Sequence, residues 1–185
     1  FIRELAVRQL AKWQKEGRDE LYISVNISTK DFQYMDVYQT ITSLVERYGI
    51  IPSTLKLEIT ETAIMMGNAG ELETIGRFRN YGFEVEIDDF GSGYSSLNTL
   101  KDIDVDVLKI DMGFLRTTRS ERVERSMSIL NMIISLSKIL GLSVVTEGVE
   151  TKDQVSRLSQ MGCGVYQGYY FSKPIPVHEF EERYM

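Results

Sequence analysis

The sequence predicts an α/β fold: a (β/α)8 barrel of the TIM type, with N-terminal strands missing from the chain as given. Three observations point there. Strand-like and helix-like segments alternate along all 185 residues, which means a parallel sheet with helices outside. Each strand carries a polar residue toward its C-terminal end: Asn26, Glu58, Asp88 with Asp89, Lys109, Glu147 and Gln167. A doubly wound open sheet would spread these over a long edge, whereas a barrel gathers them at one mouth, where active sites form. Finally, six strands can be counted where a barrel needs eight and typically about 250 residues, and the chain starts in the middle of a helical pattern. Strands lost from the front would account for both.

The elements follow in order. Ile2, Leu5, Ala6, Leu10 and Trp13 mark a first helix with no capping residue before it. Residues 21–28 (LYISVNIS) read as a strand, and 36–48 as a helix closed by Gly49, with Pro52 beyond. Residues 55–60 (LKLEIT) are a strand, and 71–81 a helix stopped by Gly82. A strand over 83–90 leads to a short helix at 95–101 and a further strand at 105–111. The long helix expected over 121–140 carries Val123, Met127, Leu130, Ile133, Ile134 and Leu140 along one side, a pattern for packing on a barrel. A strand over 142–148, a helix over 152–161, a strand over 164–171 and a helix over 176–184 complete the series. No linker or low-complexity segment interrupts it, so residues 1–185 are expected to form one domain.

The stretch FEVEIDDFGSGYSSL, residues 83–97, carries the most chemistry. Phe83, Val85 and Ile87 alternate with Glu84, Glu86 and Asp88, the period of a strand. The strand runs into Asp88-Asp89 and then a flexible Gly-Ser-Gly turn. Two adjacent acids repel each other unless a cation neutralises them, and carboxylate oxygens are hard ligands, which suits Mg²⁺ or Mn²⁺. An N-capping Asp at a strand-to-helix turn explains the same residues equally well.

Composition narrows the choices. A net charge of −6 argues against polymeric nucleic acid, though not against a small phosphate ligand held through metals. A single histidine, His178, argues against an imidazole zinc site or a Ser-His-Asp triad. Cys163 alone permits no internal disulfide. No apolar run is long enough to span a membrane and no secretory leader is recognisable, so a cytoplasmic setting is expected, with any membrane tether lying elsewhere in a longer protein. Asp89-Phe90-Gly91 spells a kinase signature, but no His-Arg-Asp accompanies it. Gly91-x-Gly93-x-x-Ser96 lacks the third glycine of a dinucleotide fingerprint. Met65-Met66 and the run Tyr169-Tyr170-Phe171 read as core or barrel-edge packing.

Six motifs in order resemble the EAL domain, the family of cyclic-di-GMP phosphodiesterases of bacterial signalling: SVNIS (24–28), LEITET (57–62), IDDFGSGYSSL (87–97), LKID (108–111), TEGVET (146–151) and QGYYFSKP (167–174). Each alone is weak, but together and in order they are specific. The resemblance implies an eight-stranded barrel with one antiparallel strand and hydrolysis of cyclic-di-GMP to linear pGpG with two Mg²⁺ or Mn²⁺ ions. It also implies a possible homodimer and further domains in a longer protein, such as GGDEF or a sensor. The Glu-Ala-Leu that names the family, whose Glu binds metal, does not occur in this sequence. It would precede the first helix, so truncation rather than mutation is the expected reason.

By the same resemblance Asn26, Glu58 and Asp88 hold a first metal, Asp88 bridges, and Asp89 holds a second. Such paired ions, roughly 3.5–4 Å apart, generate a hydroxide for in-line attack. Lys109 holds the attacking water and steadies developing charge; its structural alternative is a Lys–Asp pair with Asp111. Glu147 is a second-metal ligand or orienter, with general base as the other family reading. Gln167 bonds to the water or metal site, against the alternative of a satisfied core amide. Glu61 anchors the loop 90–96, and Glu150 is a structural acid at a helix start. Ser92, where the family usually has Thr, is a mild departure, and residues 171–174 line a guanine or phosphate pocket. A catalytically inactive cyclic-di-GMP receptor that relays the signal to a partner, or a scaffold that no longer binds the nucleotide, is the alternative function.

Overall fold

The computed structural model describes residues 1–92, 103–116 and 120–185, and the side chains from 123 onward in the last stretch. The helix expected over 95–101 lies outside the described residues. The elements are α1 (Ile2–Lys15), β1 (Ile23–Ile27), α2 (Thr29–Tyr34), α3 (Val37–Tyr48), β2 (Leu55–Thr60), α4 (Glu61–Met66), α5 (Ala69–Tyr81), β3 (Val85–Phe90), β4 (Val107–Ile110), α6 (Ser120–Ile139), β5 (Ser143–Thr146), α7 (Lys152–Gln160), β6 (Val165–Tyr166) and α8 (Val177–Tyr184). Among the described residues six strands pair in chain order and all in parallel, so each connection crosses from the end of one strand back to the start of the next.

Register divides the strands into two faces. Asn26 pairs with Glu58, Glu58 with Glu86, and Lys109 with Val145. Side chains alternate along a strand, so Ser24, Asn26, Lys56, Glu58, Glu86, Lys109 and Glu147 share one face. Val25, Ile27, Leu55, Leu57, Ile59, Val85, Ile87, Leu108 and Ile110 take the other, all buried against the helices. The helices meet them with Val7 and Leu10 of α1, Ile41 of α3, Ile75 and Phe78 of α5, and Leu130 and Ile134 of α6, each at most 2% exposed.

The sheet curls. Six flat strands would hold the outer two roughly 24 Å apart at about 4.8 Å per step. Yet α1, before β1, meets α8, after β6. Glu181 Oε1 accepts hydrogen bonds from Gln9 Nε2 (2.9 Å), Lys12 Nζ (2.7 Å) and Trp13 Nε1 (2.8 Å), and the Trp13 and Phe180 rings lie 5.7 Å apart.

Several expectations are corrected. The strand expected over 164–171 is only Val165–Tyr166, because Gly168 and the following turn redirect the chain. Two short helices, α2 and α4, went unread because each spans six residues and neither has an apolar period long enough to register. Helix α5 starts earlier than read, since Asn68 caps it and Glu71 completes the capping box. Met65, Met66, Tyr169, Tyr170 and Phe171 are exposed, between 41% and 79%, so they are not core, while Tyr170 and Phe171 pack with Tyr166 at the edge beside β6. Leu140 lies past the end of α6 and is 39% exposed.

Candidate active site

The C-terminal ends of β1 to β6 bring the polar residues together. Lys109 on β4 is 5% exposed and lies among three carboxylates: Glu58 Oε1 at 2.5 Å, Glu147 Oε1 at 2.8 Å and Asp88 Oδ1 at 2.9 Å. Asn26 Nδ2 donates to the other oxygen of Glu58 at 3.1 Å. Asp88, Asp89 and Glu147 each offer an oxygen within 4.8 Å of one another, the spacing of a cation site. The structural alternative for Lys109, a pair with Asp111, does not form among the described residues. Asp111 instead caps the next turn by accepting from Gly113 N at 2.7 Å.

A bulge explains how adjacent acids serve one site. Ile87 pairs with Leu108 and Phe90 with Ile110, so three steps on β3 match two on β4. The extra residue returns Phe90 to the helix side, where it is 3% exposed, and lets Asp88 and Asp89 both turn to the polar face. Asp89 takes φ 56°, the one left-handed non-glycine residue described, a conformation Asp tolerates better than most. Gly91 follows at φ 90°, where a Cβ would stand 2.3 Å from the Phe114 ring, so the backbone at Gly91 lies closely on that ring.

Charge is out of balance here. Glu58, Asp88, Asp89 and Glu147 supply four carboxylates against one ammonium. Burial opposes a charged Lys109, but its bonds to Glu147, Glu58 and Asp88 outweigh burial and raise its pKa well above the ordinary lysine value. Burial also raises the Glu147 carboxyl, only partly offset by Lys109. Asp89 is raised by burial, then by the charges of Asp88 and Asp111. Below this layer lies Glu86, 3% exposed, raised by burial and met by Lys56 at 3.5 Å and Ser24 Oγ at 3.1 Å. The donor set of hard oxygens with excess negative charge fits a divalent cation.

These shifts set a pH dependence. Glu147, Asp89 and Glu86 have raised folded pKa values, so without metal they cost stability at neutral pH and release that cost as pH falls toward their unfolded values. Asp31 is depressed to about 2, as its bonds from Arg3 and Ser28 overcome the effect of burial, and its contribution is lost only in stronger acid. Metal-free protein is therefore expected to melt highest in mild acid, just above the ordinary carboxylate range of about 4. Saturating Mn²⁺ should move that maximum toward neutrality. Thermal melts in chelator and in Mn²⁺ across pH 3–8 check this; metal-free stability rising steadily from pH 5 to 7 contradicts it.

Two residues flank the acids. Glu61, 6% exposed at the start of α4, accepts from Gly91 N through Oε2 at 3.0 Å, while Oε1 has no partner among the described residues. Gln167 is exposed just after β6, so it is not a core amide. With Glu147, Glu150, Met112, Arg116 and Tyr169 it lines a pocket of about 130 Å³.

Comparison with known proteins decides the family. The EAL domain profile matches residues 1–174. This chain belongs to the EAL domain family. The cyclic di-GMP phosphodiesterase NbdA of Pseudomonas aeruginosa is 34% identical over 182 residues, covering 98% of this chain and 23% of that protein. The solved PaMucR phosphodiesterase, in complex with c-di-GMP, is 32% identical with a TM-score of 0.88, over 97% of this chain and 72% of that one. The manganese and cyclic-di-GMP complex of Klebsiella pneumoniae BlrP1 is 25% identical with a TM-score of 0.80, over 93% and 44%. The chain spans 22–45% of the length of curated relatives that it matches. The TIM-like barrel of EAL domains agrees with the curl of the six strands. Among the described residues no helix is long and apolar enough to cross a membrane.

In this EAL domain the sequence reading overlooked Glu86 and Asp111 as charges acting on the site. The alternation of Glu84, Glu86 and Asp88 already places Glu86 on the face of Asp88. Glu61 offers a direct check on the loop after the acids. A charged hydrogen bond is worth about 1.5–3 kcal/mol, so Glu61→Ala should speed amide exchange at Gly91 about tenfold or more while Mn²⁺ still binds. Equal exchange in both proteins would remove Glu61 as an anchor.

Proposed function

We propose that this domain is a cyclic-di-GMP phosphodiesterase that opens the cyclic dinucleotide to linear pGpG with two Mg²⁺ or Mn²⁺ ions. The observation that carries the reading is the buried ammonium of Lys109 among three carboxylates at the strand ends, with Asp89 clustered beside two of them. Asn26, Glu58 and Asp88 would hold one ion, and Asp88, Asp89 and Glu147 the other. When bound, such ions neutralise the phosphoryl oxygens and provide a water-derived nucleophile at neutral pH.

The rest is the work of the chain. One bond from phosphorus to a ribose 3′-oxygen breaks, a bond from phosphorus to the water oxygen forms, and the departing oxygen leaves as a hydroxyl. Lys109 stays protonated, and an N–H released from one of its three carboxylates would donate toward negative charge that grows on the phosphoryl group. Glu147, beside Lys109 and within the cluster of Asp88 and Asp89, would hold a ligand position or orient water. Glu61 keeps the loop after Asp89 in place through Gly91 N. Gln167 lies beside Glu147 at the rim, within reach of a substrate or water.

Neighbouring signalling domains belong to the same proposal, since the chain is a fraction of its relatives' length; a cytoplasmic setting and a homodimer are proposed with them from the family resemblance alone. The test is to incubate the protein with cyclic-di-GMP and Mn²⁺ and separate products by ion-exchange chromatography. Stoichiometric pGpG, abolished by chelator, supports the enzyme. Tight binding of intact cyclic-di-GMP without product would make the domain a receptor instead.

A further inference from the structure

We propose that Arg3 is a positioning residue for Asn26, holding the end of β1 from the first helix through a clamp that Asp31 completes. The inference rests on the metal-centre reading above. Asn26 is the weakly held member of the donor set. It is exposed, and β1 has one strand neighbour, β2, among the described residues. Among the described residues its side chain makes one hydrogen bond, from Nδ2 to Glu58. That bond leaves the amide oxygen as the atom available to a hard cation.

The backbone supplies what the side chain lacks. Arg3 Nη2 donates to the Asn26 carbonyl at 2.9 Å, and the same nitrogen lies 2.6 Å from Asp31 Oδ2. Asp31 Oδ2 also accepts from Ser28 N at 2.8 Å and Ser28 Oγ at 2.7 Å, closing the capping box of α2. One guanidinium nitrogen and one carboxylate oxygen thus fasten both ends of the segment 26–31 to α1. The Arg3 and Asp31 side chains are only 20% and 17% exposed, so this is a charge-assisted contact shielded from water rather than a solvated surface pair.

The base of the clamp is itself fixed. Glu4 accepts from Tyr48 Oη at 2.9 Å, and Gln9, Lys12 and Trp13 all donate to Glu181 on α8. Fixing the peptide plane after Asn26 fixes the direction of its Cα–Cβ bond, and with it the reach of the amide. Partners that orient a ligand from outside typically govern metal affinity by about 10–100-fold. A bond to the ligand's backbone rather than its side chain points to the lower end of that range.

The experiment is Mn²⁺ titration calorimetry on the intact protein with a double-mutant cycle between Arg3→Met and Asn26→Ala. Arg3→Met should weaken Mn²⁺ about tenfold, and Arg3→Lys, which keeps a cation able to donate to both oxygens, should restore most of the loss. In the Asn26→Ala background Arg3→Met should change the affinity no further, because the ligand it positions is gone. A merely structural role would weaken both backgrounds alike, and that result, or an unchanged affinity in Arg3→Met, overturns the inference. If Arg3→Met does not fold, Asp31→Asn releases the same clamp and is judged by the same two outcomes. Absence of any Mn²⁺ binding by the unsubstituted protein would sink the metal reading and this inference together. Binding that is insensitive to Arg3 sinks only the latter.

Discussion

Lys109→Met is expected to lower turnover about 10²–10³-fold, the cost of one donor aimed at developing charge, while Mn²⁺ affinity holds or rises. The geometry separates these effects. Lys109 is the shared partner of Glu58, Asp88 and Glu147, at 2.5–2.9 Å. Removing it leaves three carboxylates, none fully exposed, facing one another, and breaking a buried ion pair costs about 3–5 kcal/mol. Metal-free variant should therefore melt well below the parent and recover as pH falls, because the acids can then take up protons. A divalent ion can supply the missing positive charge, so added Mn²⁺ should restore most of the lost stability without restoring turnover. Comparing melts and initial rates with and without Mn²⁺ checks both halves. If turnover per folded molecule is unchanged, Lys109 serves only the fold.

The barrel mouth was legible in the sequence because strand alternation fixes which residues share a face. LKLEIT places Lys56, Glu58 and Thr60 together and Leu55, Leu57 and Ile59 opposite, and the pairing observed keeps that division. The helix ends were legible where chemistry is local, as at Gly49 and Gly82, both left-handed. The bulge at Asp88-Asp89 was not, since its cause is the register against β4, a long-range property that no local pattern encodes. Nor was the choice of partner for Lys109. Asp111 is near in sequence, but as one of the residues after β4 it is taken by its own turn. The acids that meet Lys109 come from β2, β3 and the end of β5. The Arg3–Asp31 contact spans helix, strand end and loop, and neither residue stands in a motif.

Asp88→Asn is expected to abolish the metal response while leaving the metal-free protein as stable as the parent, or slightly more so. Asp88 is the acid common to both halves of the site: it meets Lys109 at 2.9 Å and shares the 4.8 Å cluster with Asp89 and Glu147. Changing it to an amide removes one of four crowded negative charges, and with it part of the repulsion that raises Asp89. Lys109 keeps its bonds to Glu58 and Glu147, so no ammonium is left buried without a partner. Loss of an outer partner costs about 10–100-fold in metal affinity, and loss of a ligand itself should exceed about 100-fold. At Mn²⁺ near 100 times the parent dissociation constant, binding stabilises the parent by about 2.7 kcal/mol, against about 0.4 kcal/mol for a variant 100-fold weaker. In a domain of this size that is a melting shift of about 5–10 °C reduced to about 1 °C. Turnover should fall with it, since the acid that would bridge both ions is gone. A variant that keeps the parent's Mn²⁺-induced shift would place the cation elsewhere, and a metal-free variant that melts far lower would make Asp88 a structural partner of Lys109 before it is a ligand.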